Sequence, residues 1–281
     1  MDSSNSNGKK YCIAVDGSDY SDWAFHLVSD ELYQKGDQIV VVHISNSSKI
    51  SEIPFAFQPK TIISKYDAKL TGKFPFSAYK IVHQDRDSKS THALLQVNNI
   101  ALKEKCTALV IGFHGHNMNK DQKEISKGIS FIISNVKLPT IVVKENITRR
   151  EKNSGFTWLA SIEEANSRSF KAFEYFSNFI NFSCDKVIGS HINSHGKQWA
   201  EEVQQYFEQA CQSIGIPNYS FSITPSNQNT DIGSTICNLV NYNENEVIDF
   251  LIVGHNPSKS SDKSPLHIVI KTAQCNVLFY S

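Results

Sequence analysis

The chain has 281 residues, 40% of them hydrophobic and 20% charged, with only 13 Gly and 8 Pro, which excludes fibrous, low-complexity and disordered classes and allows two α/β domains of about 150 residues each. Twenty-eight Lys+Arg balance 28 Asp+Glu, so no global charge favours a nucleic-acid or membrane surface. The balance hides a division: residues 1–150 hold 20 basic and 15 acidic side chains, net +5, and residues 151–281 are net -5, so an anionic ligand is expected in the first half.

The opening residues MDSSNSNGKK are polar where a signal peptide carries its apolar run, and no apolar stretch approaches 18 residues, so an intracellular, cytoplasmic protein is expected. Short apolar, β-branched runs then alternate with amphipathic segments. The runs of the first half are Tyr11 to Val15, Gln38 to Ile44, Ser77 to His83, Ala108 to Gly112 and Thr140 to Lys144. Continuous rather than alternating hydrophobicity predicts strands buried on both faces, as in a parallel sheet covered by helices. Between them, Ser21 to Gln34 and Ser90 to Lys105 show helical spacing, and each begins at a serine suited to cap its first turn. The proline- and phenylalanine-bearing segment Ile50 to Pro59 is expected to pack over a surface.

The polar stretch Glu145 to Ser154 reads as a linker. Beyond it the pattern repeats with Phe156 to Ser161, Lys186 to Ile192, Tyr219 to Thr224, Phe250 to Gly254 and Asn276 to Tyr280. ALVIGFHG matches FLIVGHNP and LPTIVVKE matches CNVLFYS, which marks a duplicated domain rather than a short-period solenoid. The expected architecture is two tandem open five-stranded parallel sheets, Rossmann-like, over residues 9–145 and 155–281. The six cysteines stand singly in or beside apolar runs, a pattern of buried reduced thiols and not of zinc ligands or a disulfide framework.

Ligands of open parallel sheets collect beyond the carboxyl ends of the strands. After the first strand comes Val15-Asp16-Gly17-Ser18, a carboxylate at a strand tip. After the fourth comes Gly112-Phe113-His114-Gly115, and Ser126-Lys127-Gly128-Ile129-Ser130 opens a further helix. Two glycines three apart admit an anion close to the backbone, and a helix start offers free N–H groups to phosphate. Taken singly, Asp16 reads as a turn residue, the glycines as loop formers and the serines as caps; their conjunction at the first and fourth strands points to a nucleotide cradle. GxxxxGK[ST] and GxGxxG loops are absent, as are a catalytic triad and paired carboxylates, so P-loop hydrolase and dinucleotide enzyme are not supported.

KKYCIAVDGSDYSDWAF, DQIVVVHI, ALVIGFHG and LPTIVVK resemble the universal stress protein family over residues 9–145. In its nucleotide-binding branch the pattern is Gly, two residues, Gly, nine residues, then Gly and Ser or Thr; this chain has Gly112, Gly115 and then Ile125-Ser126, keeping the serine without the third glycine, with Gly128 three residues later. The resemblance implies ATP binding, with Asp16 on the ribose, Ala14, Val15 and Ile44 around adenine, and Gly112, Gly115 and Ser126 on the phosphates. His114 would lie over them, Lys127 would share their neutralisation with a Mg²⁺ carried by the nucleotide, and Gly128 and Ser130 complete the helix start. No metal site formed by the protein and no catalytic residue are implied, and enzymatic activity is at most weak ATP hydrolysis.

The second half resembles the family more faintly. Ser161 or Ile162 is aligned with the aspartate, Gly254-His255-Asn256-Pro257 lacks a second glycine, and Lys263-Ser264 keeps only the serine. It is expected to bind no nucleotide and to serve an interface, the strand Thr140 to Lys144 pairing with Asn276 to Tyr280 in an intrachain pseudo-dimer, with a further homodimer left open. The function so implied is nucleotide-dependent stress response or signalling through a protein partner; the alternatives are a scaffold without nucleotide and a slow ATP hydrolase.

Overall fold

The computed structural model describes residues 8–86, 92–115, 125–149, 155–164, 167–194, 196–226, 230–243, 246–256, 261 and 264–280. The chain divides into two compact units, residues 1–122 and 123–281.

In the first unit the strands are β1 (Lys10–Ala14), β2 (Gln38–Ser45), β3 (Tyr79–Asp85) and β4 (Ala108–Gly112). All pair in parallel in the order β3-β2-β1-β4. Ile39, Val40, Val41 and Val42 are each fully buried, as a run covered on both faces requires. β3 departs from that expectation: Lys80, Gln84 and Asp85 are exposed, because β3 is an edge strand that pairs on one side only, with β2. It also begins two residues later than its apolar run, Ser77 lying in the single 3₁₀ turn Phe76–Ala78.

The helices are α1 (Asp19–His26), which continues as a π-helical stretch over Leu27–Leu32, then α2 (Pro59–Thr71) and α3 (Ala93–Lys103). The cap of α1 is Ser18 and not the expected Ser21: Ser18 is extended (φ -68°, ψ 159°) and its side chain accepts from the Ser21 N–H at 3.2 Å. Ser90 lies outside the described residues, and α3 starts after His92 without a side-chain cap. The 50–59 segment forms the 3₁₀ turns Ser47–Glu52 and Phe55–Phe57. Phe57 packs toward Gly17, while Phe55 is 76% exposed.

In the second unit come α4 (Lys127–Asn135), β5 (Thr140–Val143), β6 (Thr157–Ser161), α5 (Arg168–Phe176), β7 (Lys186–Asn193), α6 (Lys197–Ile214), β8 (Tyr219–Pro225), α7 (Ile232–Asn241), β9 (Phe250–Gly254), α8 (Pro265–Thr272) and β10 (Asn276–Tyr280). β10, β9, β6, β7 and β8 form the parallel series β10-β9-β6-β7-β8, and β5 joins β10 antiparallel, with Val142 opposite Val277. The expected pairing of those two final strands is thus present within the chain. Asn276 extends it, its Oδ1 accepting from the Lys144 and Glu145 N–H groups at 2.8 and 3.1 Å. β8, like β3, is a half-exposed outer strand.

The stretch read as a linker is pinned at Arg149, while residues 150–154 lie outside those described. Arg149 grips the fully buried Asp185 side chain through Nε at 3.1 Å and Nη2 at 2.8 Å. The same carboxylate accepts from the Trp158 indole and the Phe156 and Asn181 N–H groups. Burial alone would raise its pKa; the guanidinium and the backbone donors outweigh that and hold it below the usual carboxylate value. All six cysteines are free thiols, five of them buried and Cys184 half-buried. Among the described residues no helix is long and apolar enough to cross a membrane.

Candidate functional site

β2 and β3 lie to one side of β1 and β4 to the other, so the strand order reverses between β1 and β4, and their carboxyl ends leave a crevice. Asp16 enters it directly after β1. Its Oδ1 accepts from the Ser18 N–H at 3.0 Å and the Ser18 hydroxyl at 2.6 Å. This local turn needs φ of +84° at residue 17, which glycine adopts without strain. Ser18 also reaches the His114 carbonyl at 3.3 Å, tying the β1 tip to the loop after β4.

The two glycines of that loop do different work. A Cβ on Gly112 would stand 2.7 Å from the backbone of Tyr20, so this glycine lets α1 pack on β4. A Cβ on Gly115 would stand 2.7 Å from Asp16 Oδ2, so this glycine leaves open the space in front of the carboxylate. His114 is not spread over that space: it is 4% exposed, with its ring packed edge-on against Tyr20 and tilted on Phe113. Val15 is buried, Ala14 and Ile44 are half-buried, and all three stand at the β1 and β2 ends.

Sequence reasoning overlooked His43. Its Nδ1 lies 2.8 Å from the Val15 carbonyl, so the ring fixes the strand tip just before Asp16, and it stacks on His83 at 5.7 Å. The signal was present in the repeat, because β7 carries His191 at the same strand position, with Nδ1 3.0 Å from the Ile162 carbonyl. Val15 N–H bonds the Val42 carbonyl at 2.9 Å, as Ile162 N–H bonds that of Ser190 at 2.8 Å. This register makes Ile162 the counterpart of Val15 and corrects the alignment of Ser161 or Ile162 with the aspartate: Glu163 holds the place of Asp16. Gly254 likewise matches Gly112, since its Cβ would stand 2.2 Å from the Ser169 nitrogen at the start of α5.

The remaining expected phosphate residues belong to the second unit. Ser126 caps α4, accepting from the Ile129 N–H at 3.2 Å; Lys127 is exposed, and Gly128 and Ser130 are half-buried in the first turn. Residues 116–124, 257 and 263 lie outside those described. Among the described residues no cluster of metal-ligating side chains occurs.

The second unit has its own crevice between β6 and β9, occupied by a cavity of about 370 Å³. Its polar lining comes from Ser161, Glu163, Glu164, Ser169, His191 and Ser194, with the Trp199 indole beside them. Its apolar wall comes from α7 and α8, through Ile232, Ile236, Leu266 and Val269. Next to Gly254 in sequence, His255 bonds the Ile133 carbonyl at 2.6 Å, and burial lowers its pKa.

No protein-family model matches the sequence, and no curated protein matches it. Solved structures do. A universal stress protein from Archaeoglobus fulgidus DSM 4304 is similar over 97% of this chain and 96% of its own, at 14% identity and a TM-score of 0.65. A protein of unknown function from Pseudomonas aeruginosa PAO1 (9% identity, TM-score 0.62) and a candidate universal stress protein from Pseudomonas aeruginosa UCBPP-PA14 (10%, 0.62) each cover 97% of this chain and 92% of theirs. At such identities the likeness is one of fold: the chain carries, along its whole length, the α/β fold of universal stress protein structures.

Proposed function

We propose that the first unit binds an adenine nucleotide, ATP with its Mg²⁺, at the crevice between β1 and β4, and that occupancy is the signal the protein transmits. The observation that carries this reading is the pairing of Asp16 with Gly115. A carboxylate fixed by Ser18 faces a backbone position that has no room for a side chain, so ribose hydroxyls find an acceptor beside a loop open to phosphate. Binding without chemistry suits this arrangement, because Asp16 is engaged by Ser18 and the His114 ring is packed away from solvent.

Calorimetry of the purified chain with MgATP tests the proposal. One site per chain, lost in Asp16→Ala, is the expected result; absence of binding at millimolar ATP overturns it. Chromatography of a denatured sample adds an independent check, since a carried nucleotide appears as free adenine nucleotide.

A further inference from the structure

The helices of the second unit hold a gap open. α7 packs chiefly against α8, whereas α3 in the first unit lies on β2 and β1. Two fixtures seat α7 there. A Cβ on Gly233 would stand 2.9 Å from both the Pro265 carbonyl oxygen and Ile268 Cβ, so glycine lets the start of α7 close on the start of α8. At the other end Asn241 clamps the end of α8, its Nδ2 donating to the Thr272 carbonyl at 3.1 Å and its Oδ1 accepting from the Gln274 N–H at 2.9 Å. The space between this helix pair and the strands is the cavity of about 370 Å³, near the low end of the range of roughly 300–1,000 Å³ usual for ligand pockets. Close-packed interiors leave few voids larger than a water molecule, so a gap of this size between fixed elements is a built feature.

Its depth is aliphatic. Ile162, Ile192 and Val253 line it from the strands, and Ile236, Leu266 and Val269 from the helices. At its mouth stand two large apolar side chains that water reaches, Trp199 at 38% exposure and Ile232 at 54%. Ser161 and Ser194 bring hydroxyls to the rim, able both to donate and to accept. Glu163 and Glu164 at the same rim are exposed, where an ionic partner gains little.

We infer that this cavity binds a small uncharged molecule, an apolar ring or short chain with one hydroxyl-type head, its body seated between the strands and α7–α8 and its head at the serine rim. The driving force is area removed from water: the bound body covers the aliphatic depth and the exposed faces of Trp199 and Ile232 together. A positive head gains little from solvated carboxylates, and a negative head is repelled by them. The site uses none of the residues of the nucleotide proposal and stands independently of it.

The test uses the whole chain and three probes: benzyl alcohol, 2-naphthalenemethanol and 2-naphthoate. The first two share a head and differ in body; the last two share a body and differ in charge. Calorimetry should show 2-naphthalenemethanol saturating one site per chain, about tenfold more tightly than benzyl alcohol, with a negative heat-capacity change. The naphthoate should bind more weakly than the naphthyl alcohol. Methyl resonances of Ile236, Leu266 and Val269 should move on titration, and excess MgATP should displace none of the probe. Ile232→Glu, at an exposed position that the fold does not need, should weaken the naphthyl alcohol severalfold, and Ile236→Trp, which fills the cavity, should abolish its binding. The inference is overturned if the naphthyl alcohol does not saturate, if body size leaves the affinity unchanged, if the naphthoate binds as tightly, if MgATP displaces the probe, or if Ile232→Glu binds as the wild type does with the three methyl resonances unmoved.

Discussion

Replacing Asp185 by Ala should remove a large share of the stability of the second unit. Asp185 is a side chain with no exposure, receiving two bonds from Arg149, two from backbone N–H groups and one from the Trp158 indole. Deleting one partner of a buried ion pair costs about 3–5 kcal/mol, because the other charge is stranded. Here the Arg149 side chain is 18% exposed, so water reaches part of the guanidinium and offsets some of that cost. The N–H groups of Phe156 and Asn181 and the indole remain unpaired, each at about 1–3 kcal/mol before relaxation. A net loss of about 4 kcal/mol is expected, against a total of about 5–15 for an ordinary domain. Urea unfolding followed by tryptophan fluorescence reads it directly, since Trp158 sits on the bond.

Asp185→Asn separates charge from shape and should lose about 1.5–3 kcal/mol, the range of hydrogen bonds to a charged group. Adding Arg149→Met to it should give a coupling of about 1–3 kcal/mol. The dependence on pH has a fixed sign. The folded carboxyl titrates below its unfolded value, so its contribution is full above about pH 4 and is lost as the pH falls through the folded value. The Asn penalty should therefore shrink in acid. A loss below about 1 kcal/mol for Asp185→Ala at neutral pH, or a coupling of zero, would show that the anchor does not hold the unit together.

Gly115→Val should abolish ATP binding with the circular dichroism spectrum unchanged, because the side chain displaces Asp16; normal affinity would place the nucleotide elsewhere. Burial lowers the Lys144 ammonium from the usual 10.5 to about 8, so the unfolded chain binds more protons across that window and stability rises with pH. Wild type minus Lys144→Met should accordingly climb by roughly 3 kcal/mol between pH 8 and 10.5, and a flat difference would refute the burial of that charge. Gly254→Ala should cost at least about 1–3 kcal/mol, since its Cβ overlaps backbone at the start of α5; neutrality in thermal unfolding would mean that the two segments part freely.

The ten strands were legible because strands covered on both faces are written as unbroken apolar runs, and that signal needs no knowledge of partners. It failed at β3 and β8, whose exposure follows from their place at the outside of a sheet, which a single run does not encode. The acidic residue at the β6 tip was misaligned, and read as a solvated helix entry, for a local reason. The cap of α1 stands three residues after Val15, whereas Ser167, the cap of α5, stands five after Ile162, so an alignment by eye slips in the longer loop. His43 and His191 were passed over because one histidine in an apolar run reads as core. Only the hydrogen bond to the preceding strand tip shows that both were retained for the same task. Asp16 and Gly115 were legible as residue types, while their mutual approach depends on strand order and emerges only in the fold.

The antiparallel seam between β5 and β10 also sets a kinetic problem. Val142 waits for Val277 across a sequence separation of 135 residues, and loop closure over such a span is entropically costly and slow. Until β10 is in place, β5 offers four buried-type residues and an unpaired ladder to any strand that arrives first. A second copy of the same chain presents a β10 of identical register, so at high concentration intermolecular closure competes with intramolecular closure. The seam that completes the unit in dilute solution is therefore also its natural route to a strand-exchanged dimer, with the balance set by the concentration at which the chain refolds.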